Sequence, residues 1–255
     1  MEILPASRNF ANGTFDFYPS DTKKLFETNK KNFGPSWEFY NKPIFYVCNE
    51  FGFREQKLNT IDWTNSTVCF GCSHTFGIGV PDNETWVRKL QKKTSTPCVN
   101  LGIPGGSFEA IFHNIVWLNY HNITPKNLIV QIPDPSRNYY VETEIDHPAF
   151  CHIIPELHGV ISQKNMQYYT DVHLAHKLEL MKTTIDLLCP DMDVVYFFLG
   201  CPSAAKSFSL KRPVYFDQKQ YPNIHWARDR SHFGSTVSDA IVELVCQLSS
   251  NLGRV

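Results

Sequence analysis

From Thr67 onward, short apolar runs alternate with longer segments whose apolar residues return every three or four positions. The runs Thr67–Phe70, Pro97–Leu101, Asn127–Ile132 and Asp193–Leu199 are β-prone, and the last is apolar enough to be buried on both faces. Between them lie helical patterns. Asp82 and Asn83 can cap a helix through Glu84–Lys93, with acidic residues at its start and basic ones at its end. Ser107 is a good N-cap for a helix carrying Phe108, Ile111, Phe112, Ile115 and Leu118 on one face. Asp171 can cap a long helix with Leu174, Leu178, Met181, Ile185 and Leu188 inward. A last helix from about Ser235 points Val237, Ile241, Leu244 and Leu248 the same way. Strands alternating with helices over this length predict an α/β fold: a mostly parallel sheet with helices on both faces.

Two stretches depart from this rhythm. Residues 1–60 are polar, aromatic and weakly periodic, with one strand expected at Ile44–Val47 and a turn at Asn49–Arg54. They read as an N-terminal extension packed on a main domain of residues 61–255. Residues 139–170, rich in aromatics and histidines, read as an irregular insertion, and 201–224 as a proline-punctuated connection. Long insertions at the active edge of a sheet commonly form lids or substrate walls.

The 255 residues suit one α/β domain, which would bury roughly three quarters of the surface its unfolded chain exposes. A formal net charge of −1 gives no electrostatic reason to expect nucleic acid or an anionic membrane as partner. The Met1-Glu2-Ile3 start lacks the basic and apolar regions of a signal peptide, and no apolar run approaches the ~20 residues that span a bilayer. A cytoplasmic chain is therefore expected. The eight cysteines sit mostly in apolar runs, as buried free thiols do. Cys69 and Cys72 form a C-x-x-C, but no second such pair accompanies them, which weighs against a redox or zinc site.

The stretch Thr67–Gly79 reads TVCFGCSHTFGIG: a strand that stops at Gly71 and presents Ser73 before a Gly-containing loop. A hydroxyl held at the carboxyl edge of an open sheet is well placed to meet a ligand. Near the other end, Asp229 precedes His232 by three residues, just ahead of the last helix. A carboxylate there can accept from the imidazole, fix its tautomer and stabilise the imidazolium formed when it takes a serine proton. The plainer reading makes Asp229 a helix-approach cap and His232 an exposed loop residue. Between them, Asn100-Leu-Gly-Ile-Pro-Gly105-Gly-Ser107 follows a strand at a helix start, where glycine N–H groups can face a developing oxyanion. It also reads as an ordinary strand-to-helix turn. His74 either touches substrate or satisfies the loop. His147, Cys151, His152 and His158 fit no compact zinc spacing, His173 and His176 with Glu179 nearby read as a half-exposed helix face, and no H-E-x-x-H, phosphate loop or dinucleotide fingerprint is present. No metal or organic cofactor is expected.

In order and spacing these three stretches resemble the SGNH (GDSL-like) hydrolase family over about residues 65–250. Gly71-Cys72-Ser73 stands where that family has Gly-Asp-Ser, Gly105 where it has its oxyanion glycine, and Asp229 and His232 where it has Asp-x-x-His. Asn49-Glu-Phe-Gly52-Phe53-Arg54 is similar to a turn that precedes the nucleophile strand in many SGNH-like proteins. The resemblance implies a three-layer α/β/α flavodoxin-like sandwich and an acyl-enzyme mechanism with Ser73 as nucleophile, His232 as base and Asp229 as its orienter. The family's third block supplies an oxyanion asparagine, but the matching place here falls near Pro135, which has no N–H to donate. Ser136, Arg137 and Asn138 are the neighbouring candidates to replace it, Arg137 with a charge-assisted bond. The implied activity is hydrolysis of a carboxylic ester on a small molecule or glycan, extending to a small acyl group such as acetyl on a carbohydrate. The alternatives are an O-acyltransferase using the same residues and a non-catalytic binding protein that kept the fold.

Overall fold

The computed structural model describes residues 1–135, 137–142, 149–153, 171–199, 215–216 and 225–249. Strands β1 (Thr14–Phe15) and β2 (Tyr46–Val47) pair antiparallel in the N-terminal region, on either side of helix α1 (Lys23–Phe33). The central sheet takes β3 (Thr67–Gly71), β4 (Cys98–Gly102), β5 (Asn127–Ile132), β8 (Asp193–Leu199) and β9 (Tyr215–Phe216). A hairpin of β6 (Asn138–Glu142) and β7 (Ala149–Ile153) lies between β5 and β8 in the chain. The helices that follow α1 are α2 (Ser73–Phe76), α3 (Trp86–Thr94), α4 (Phe108–Tyr120), α5 (Asp171–Leu188) and α6 (Ser235–Leu248).

The central sheet is parallel throughout, in the order β4-β3-β5-β8-β9. Numbering its strands along the chain gives 2-1-3-4-5, the flavodoxin-like order, whose switch point lies between the first and third strands. Side chains alternate across it with the period of two that a strand imposes. Val68, Phe70, Val99, Leu101, Leu128, Val130 and Phe198 face one core, shared with Ile111 and Ile115 of α4 and Leu178 and Ile185 of α5. Cys69, Cys98, Ile129, Val195 and Phe197 face the other, against Trp86 and Leu90 of α3 and Val237, Ile241 and Val245 of α6. The result is three layers, helix–sheet–helix.

Residues 1–60 belong to the first core. Ile3, Leu4, Phe39, Ile44, Tyr46 and Phe53 are buried in it, and Leu4 is tied to α4 by a reciprocal pair of bonds with Asn114 (2.7 and 3.0 Å). The structure adds α1, which the sparse apolar residues of that region did not announce. Thr22 Oγ1 caps it from the Leu25 N–H (3.1 Å), and Gly34, at φ 67°, ends it. The strand expected over 44–47 is reduced to Tyr46–Val47.

Three other expectations change. The helix placed from Glu84 begins at Trp86, because Asp82–Glu84 forms a 3-10 turn and Asp82 spends its carboxylate on Arg88 Nε (3.1 Å); Thr85 is the cap instead. The stretch after Ser73 is a one-turn helix, not a loop. The insertion opens with the antiparallel strand pair β6–β7 rather than irregular chain.

Candidate functional site

Strand β3 ends against its neighbours so tightly that only glycine fits. A Cβ on Gly71 would stand 2.0 Å from Thr75 Oγ1 and 2.5 Å from Gln131 Oε1. That Gln131 oxygen accepts from the Cys72 N–H (2.8 Å) and from Thr75 Oγ1 (3.1 Å), fastening both ends of the turn that leads into α2. Helix α2 in turn lies on β4: a Cβ on Gly102 would meet Phe76 N at 2.3 Å. Asn100 donates to the Thr75 carbonyl (2.8 Å) and accepts from the Gly102 N–H (3.1 Å). Gly77, in the left-handed region at φ 85°, closes the helix after one turn. Ser73 therefore sits at the carboxyl edge of β3, beside the strand-order switch, with its side chain almost fully buried.

The turn after β4 runs alongside. The Ile103 N–H donates to the Gly71 carbonyl (2.8 Å), and Gly105 takes a left-handed φ of 73°. Among the described residues, neither the Ser73 nor the Gly105 N–H donates to another group. At Ser73 the donor is open because it is the first N–H of a helix.

The segment 225–234 folds back on itself before α6. Trp226 bridges Phe233, the Ala227 N–H donates to the His232 carbonyl (2.9 Å), and the Gly234 N–H to the His225 carbonyl (2.7 Å). Inside this loop Asp229 is buried. Its Oδ1 accepts from the Ser231 and His232 N–H groups (3.1 Å each), and its Oδ2 lies 2.5 Å from His232 Nδ1. The carboxylate is thus fully engaged, and the imidazole is left with Nε2 to offer.

The Ser73 stretch and the Asp229 stretch meet. The His74 ring lies 5.0 Å from that of His232 and stacks on Phe233 at 4.8 Å. The Arg228 N–H donates to the Gly79 carbonyl (2.8 Å), and a Cβ on Gly79 would press Ala227 Cβ at 2.7 Å. His74 titrates well below the usual imidazole range, first because it is buried and then because His232 and Arg137 bring positive charge near it. Both effects favour the neutral form of its ring. The Ser73 hydroxyl has Cys72 Sγ as its partner at 4.0 Å and makes no hydrogen bond to His232.

Of the residues singled out in the sequence, Ser73, His74, Asp229 and His232 converge, with Gly105 on the adjoining turn. Arg137 lies beyond β5, its N–H turned to the Asp134 carbonyl (3.1 Å), while its Nε and Nη1 are enclosed without a hydrogen-bond partner among the described residues. Asn138 starts β6. Pro135 is buried and Ser136 lies outside the described residues. His147 and His158 lie outside them too, and the described residues hold no cluster of metal-ligating side chains. His173 and His176 are exposed on α5. The described cysteines 48, 69, 72, 98, 189 and 246 are free thiols.

Gln131 escaped sequence reasoning, and Asn49 and Arg54 were noticed only as parts of a turn, with no role assigned to their side chains. Gln131 left one signal, an amide that interrupts the apolar run Leu128–Ile132. Arg54 is explained only in three dimensions: its Nη1 donates to the carbonyls of Gly77 (2.7 Å) and Val80 (2.9 Å), holding the loop behind Ser73 from the N-terminal side. Asn49 shapes the turn that delivers it, accepting from the N–H groups of Phe51 (3.0 Å) and Phe53 (3.1 Å).

No protein-family profile matches the chain, and no curated protein does. Among solved structures, it is similar to a protein assigned as a GDSL-like lipase of Bacteroides ovatus, at 11% identity and TM-score 0.42, covering 71% of this chain and 51% of that one. It is similar also to a member of the lipolytic G-D-S-L family from Veillonella parvula, at 11% identity and TM-score 0.43, covering 74% of this chain and 99% of that one. A third likeness is to an acetyl xylan esterase of the rumen bacterium Butyrivibrio proteoclasticus, at 10% identity and TM-score 0.43, covering 81% of this chain and 66% of that one. The chain spans about half the length of the first of these.

Proposed function

We propose that the chain is a serine hydrolase that cleaves a carboxylic ester, of a small molecule or a glycan, through an acyl-enzyme. The observation that carries this reading is the Asp229–His232 pair at 2.5 Å, brought by its loop against the residue next to Ser73. A serine hydroxyl is a weak nucleophile at neutral pH and needs a base beside it. In this reading Ser73 Oγ turns from Cys72 toward His232 Nε2, which takes its proton as Oγ attacks the acyl carbon. Such contacts are often long in the free enzyme and tighten with substrate bound. Asp229 holds the ring with Nε2 outward and stabilises the imidazolium.

The tetrahedral oxyanion is held by the open N–H groups of Ser73 and Gly105. Arg137 is the third donor, in the place of the asparagine that Pro135 displaces. Its support is the pair of enclosed guanidinium N–H groups without a described partner, together with the charge it imposes at His74. When the intermediate collapses, His232 returns the proton to the leaving alcohol. It then takes one from the water that attacks the acyl group, and gives it to Ser73 Oγ as the second intermediate collapses and the carboxylic acid leaves. Neutral His74 adds no competing cation beside His232.

Treatment with an alkyl fluorophosphonate tests the reading. Intact-mass measurement is expected to show one phosphonyl group per chain, mapped to Ser73 and absent from Ser73→Ala. A folded wild-type chain that stays unmodified, or is modified equally after Ser73→Ala, rules the serine mechanism out.

A further inference from the structure

The residue before Asp229 is held by the N-terminal region and by the Ser73 loop, through both its side chain and its backbone. Arg228 is buried. Its Nε lies 3.0 and 3.1 Å from the two carboxylate oxygens of Asp21, and its Nη2 donates to Asp21 Oδ2 (2.6 Å) and to the Asp16 carbonyl (2.5 Å). Its guanidinium also lies over the rings of Phe17 (4.7 Å) and Phe26 (5.4 Å). Its carbonyl accepts from Asn29 Nδ2 of α1 (3.0 Å), and its N–H donates to the Gly79 carbonyl (2.8 Å).

The same carboxylate reaches the other loop. Tyr46 OH donates to Asp21 Oδ2 (2.5 Å) and accepts from the Gly79 N–H (2.8 Å). A closed ring results: Asp21, Arg228, Gly79, Tyr46 and back to Asp21. Asp21 and Tyr46 have no measurable solvent exposure. One side of the ring is the peptide that leads directly into Asp229. The other is the loop that ends α2, six positions beyond Ser73.

We propose that Asp21 is a positioning residue for the reaction proposed above, on which this inference rests: shared between Arg228 and Tyr46, it sets the distance between the Ser73 loop and the Asp229–His232 loop. A buried ion pair is a poor source of stability compared with apolar side chains of the same volume, and its best-attested use is to specify geometry. Both loops lie outside the strands of the central sheet, so β-pairing does not set their separation. Proton transfer from Ser73 to His232 depends on that separation, and a misplacement of about 1 Å can cost on the order of 10²-fold in rate.

Time courses of phosphonylation separate positioning from folding. Tyr46→Phe removes one hydroxyl and leaves the Asp21–Arg228 pair intact; Asp21→Asn weakens both links. Wild type is expected to take one label per chain. Tyr46→Phe should reach the same stoichiometry with a rate constant lower by about 10-fold, and Asp21→Asn one lower by about 100-fold in its folded fraction. If either variant labels a smaller fraction of chains at the wild-type rate constant, the residue only stabilises the fold and the proposal fails. A wild-type rate in Tyr46→Phe also overturns it, whether or not Asp21→Asn folds. Wild type that takes no label overturns the hydrolase reading itself, which separates the two failures.

Discussion

Replacing Gly102 by alanine tests whether the seat of the Ser73 helix governs reactivity. The new Cβ would stand 2.3 Å from Phe76 N, 2.9 Å from Phe76 Cα and 2.9 Å from the Thr75 carbonyl carbon. All three are backbone atoms, so no side-chain rotation relieves the contact. Non-bonded heavy atoms prefer about 3.5–4.0 Å, so α2 or β4 must yield by roughly 1 Å. The strand is paired on its inner edge to β3 in register Gly71↔Gly102, and the helix is one turn long, so the helix yields. Overpacking of this kind costs about 1–3 kcal/mol, which lowers Tm by about 2–4 °C per kcal/mol in a domain of this size. In the proposed mechanism the same ~1 Å displacement carries Ser73 away from His232 and from the Gly105 N–H, and a loss on the order of 10²-fold in rate follows. Scanning calorimetry measures the first effect and the phosphonylation rate constant, taken well below Tm, the second. Gly102→Ala labelling Ser73 at the wild-type rate would refute the claim that contact with β4 sets the nucleophile's position.

Two further outcomes are expected. Arg137→Gln should lower kcat by 10²–10³-fold with KM little changed, as loss of one oxyanion donor does at about 2.7–4 kcal/mol, and Arg137→Lys should recover part of it without the planar fork; a change confined to KM would make Arg137 a substrate anchor instead. His74, depressed in the folded chain, binds fewer protons there than in the unfolded chain, where its pKa is about 6.5. Its contribution to stability is therefore complete above about pH 6.5 and is lost as pH falls toward the folded value, with a slope of at most about 1.4 kcal/mol per pH unit. Urea midpoints between pH 7.5 and 5 should fall less in His74→Gln than in wild type, and equal slopes would contradict the burial of a neutral ring.

Strands β3, β4, β5 and β8 and helices α3 to α6 were legible in one dimension because their cause is local, whereas α2, the β6–β7 pair and β9 were not. A run such as Asn127–Ile132 is apolar over Leu128–Val130 and at Ile132 because a parallel strand is covered on both faces, and the 3.6 period after Ser107 is the footprint of one buried helix face. The Asp-x-x-His spacing was legible for the same reason: Asp229 reaches His232 within a single turn of chain. Order along the chain also placed Ser73 after the first core strand and Gly105 after the second.

What only the tertiary structure decided is held by contacts between distant positions. Helix α1 was illegible because its residues are mostly Lys, Asn and Thr, and its role depends on Asn29 meeting Arg228, 199 positions away. The ring through Asp21, Tyr46, Gly79 and Arg228 joins three separate stretches whose residue types give no periodic signal. Gln131 and Gly102 acquire meaning only when β5 and β4 come to flank β3. Charge and polarity at isolated positions do not report which partner a folded chain will bring to them, because burial of a polar group needs a matching group in space and not a neighbour in sequence.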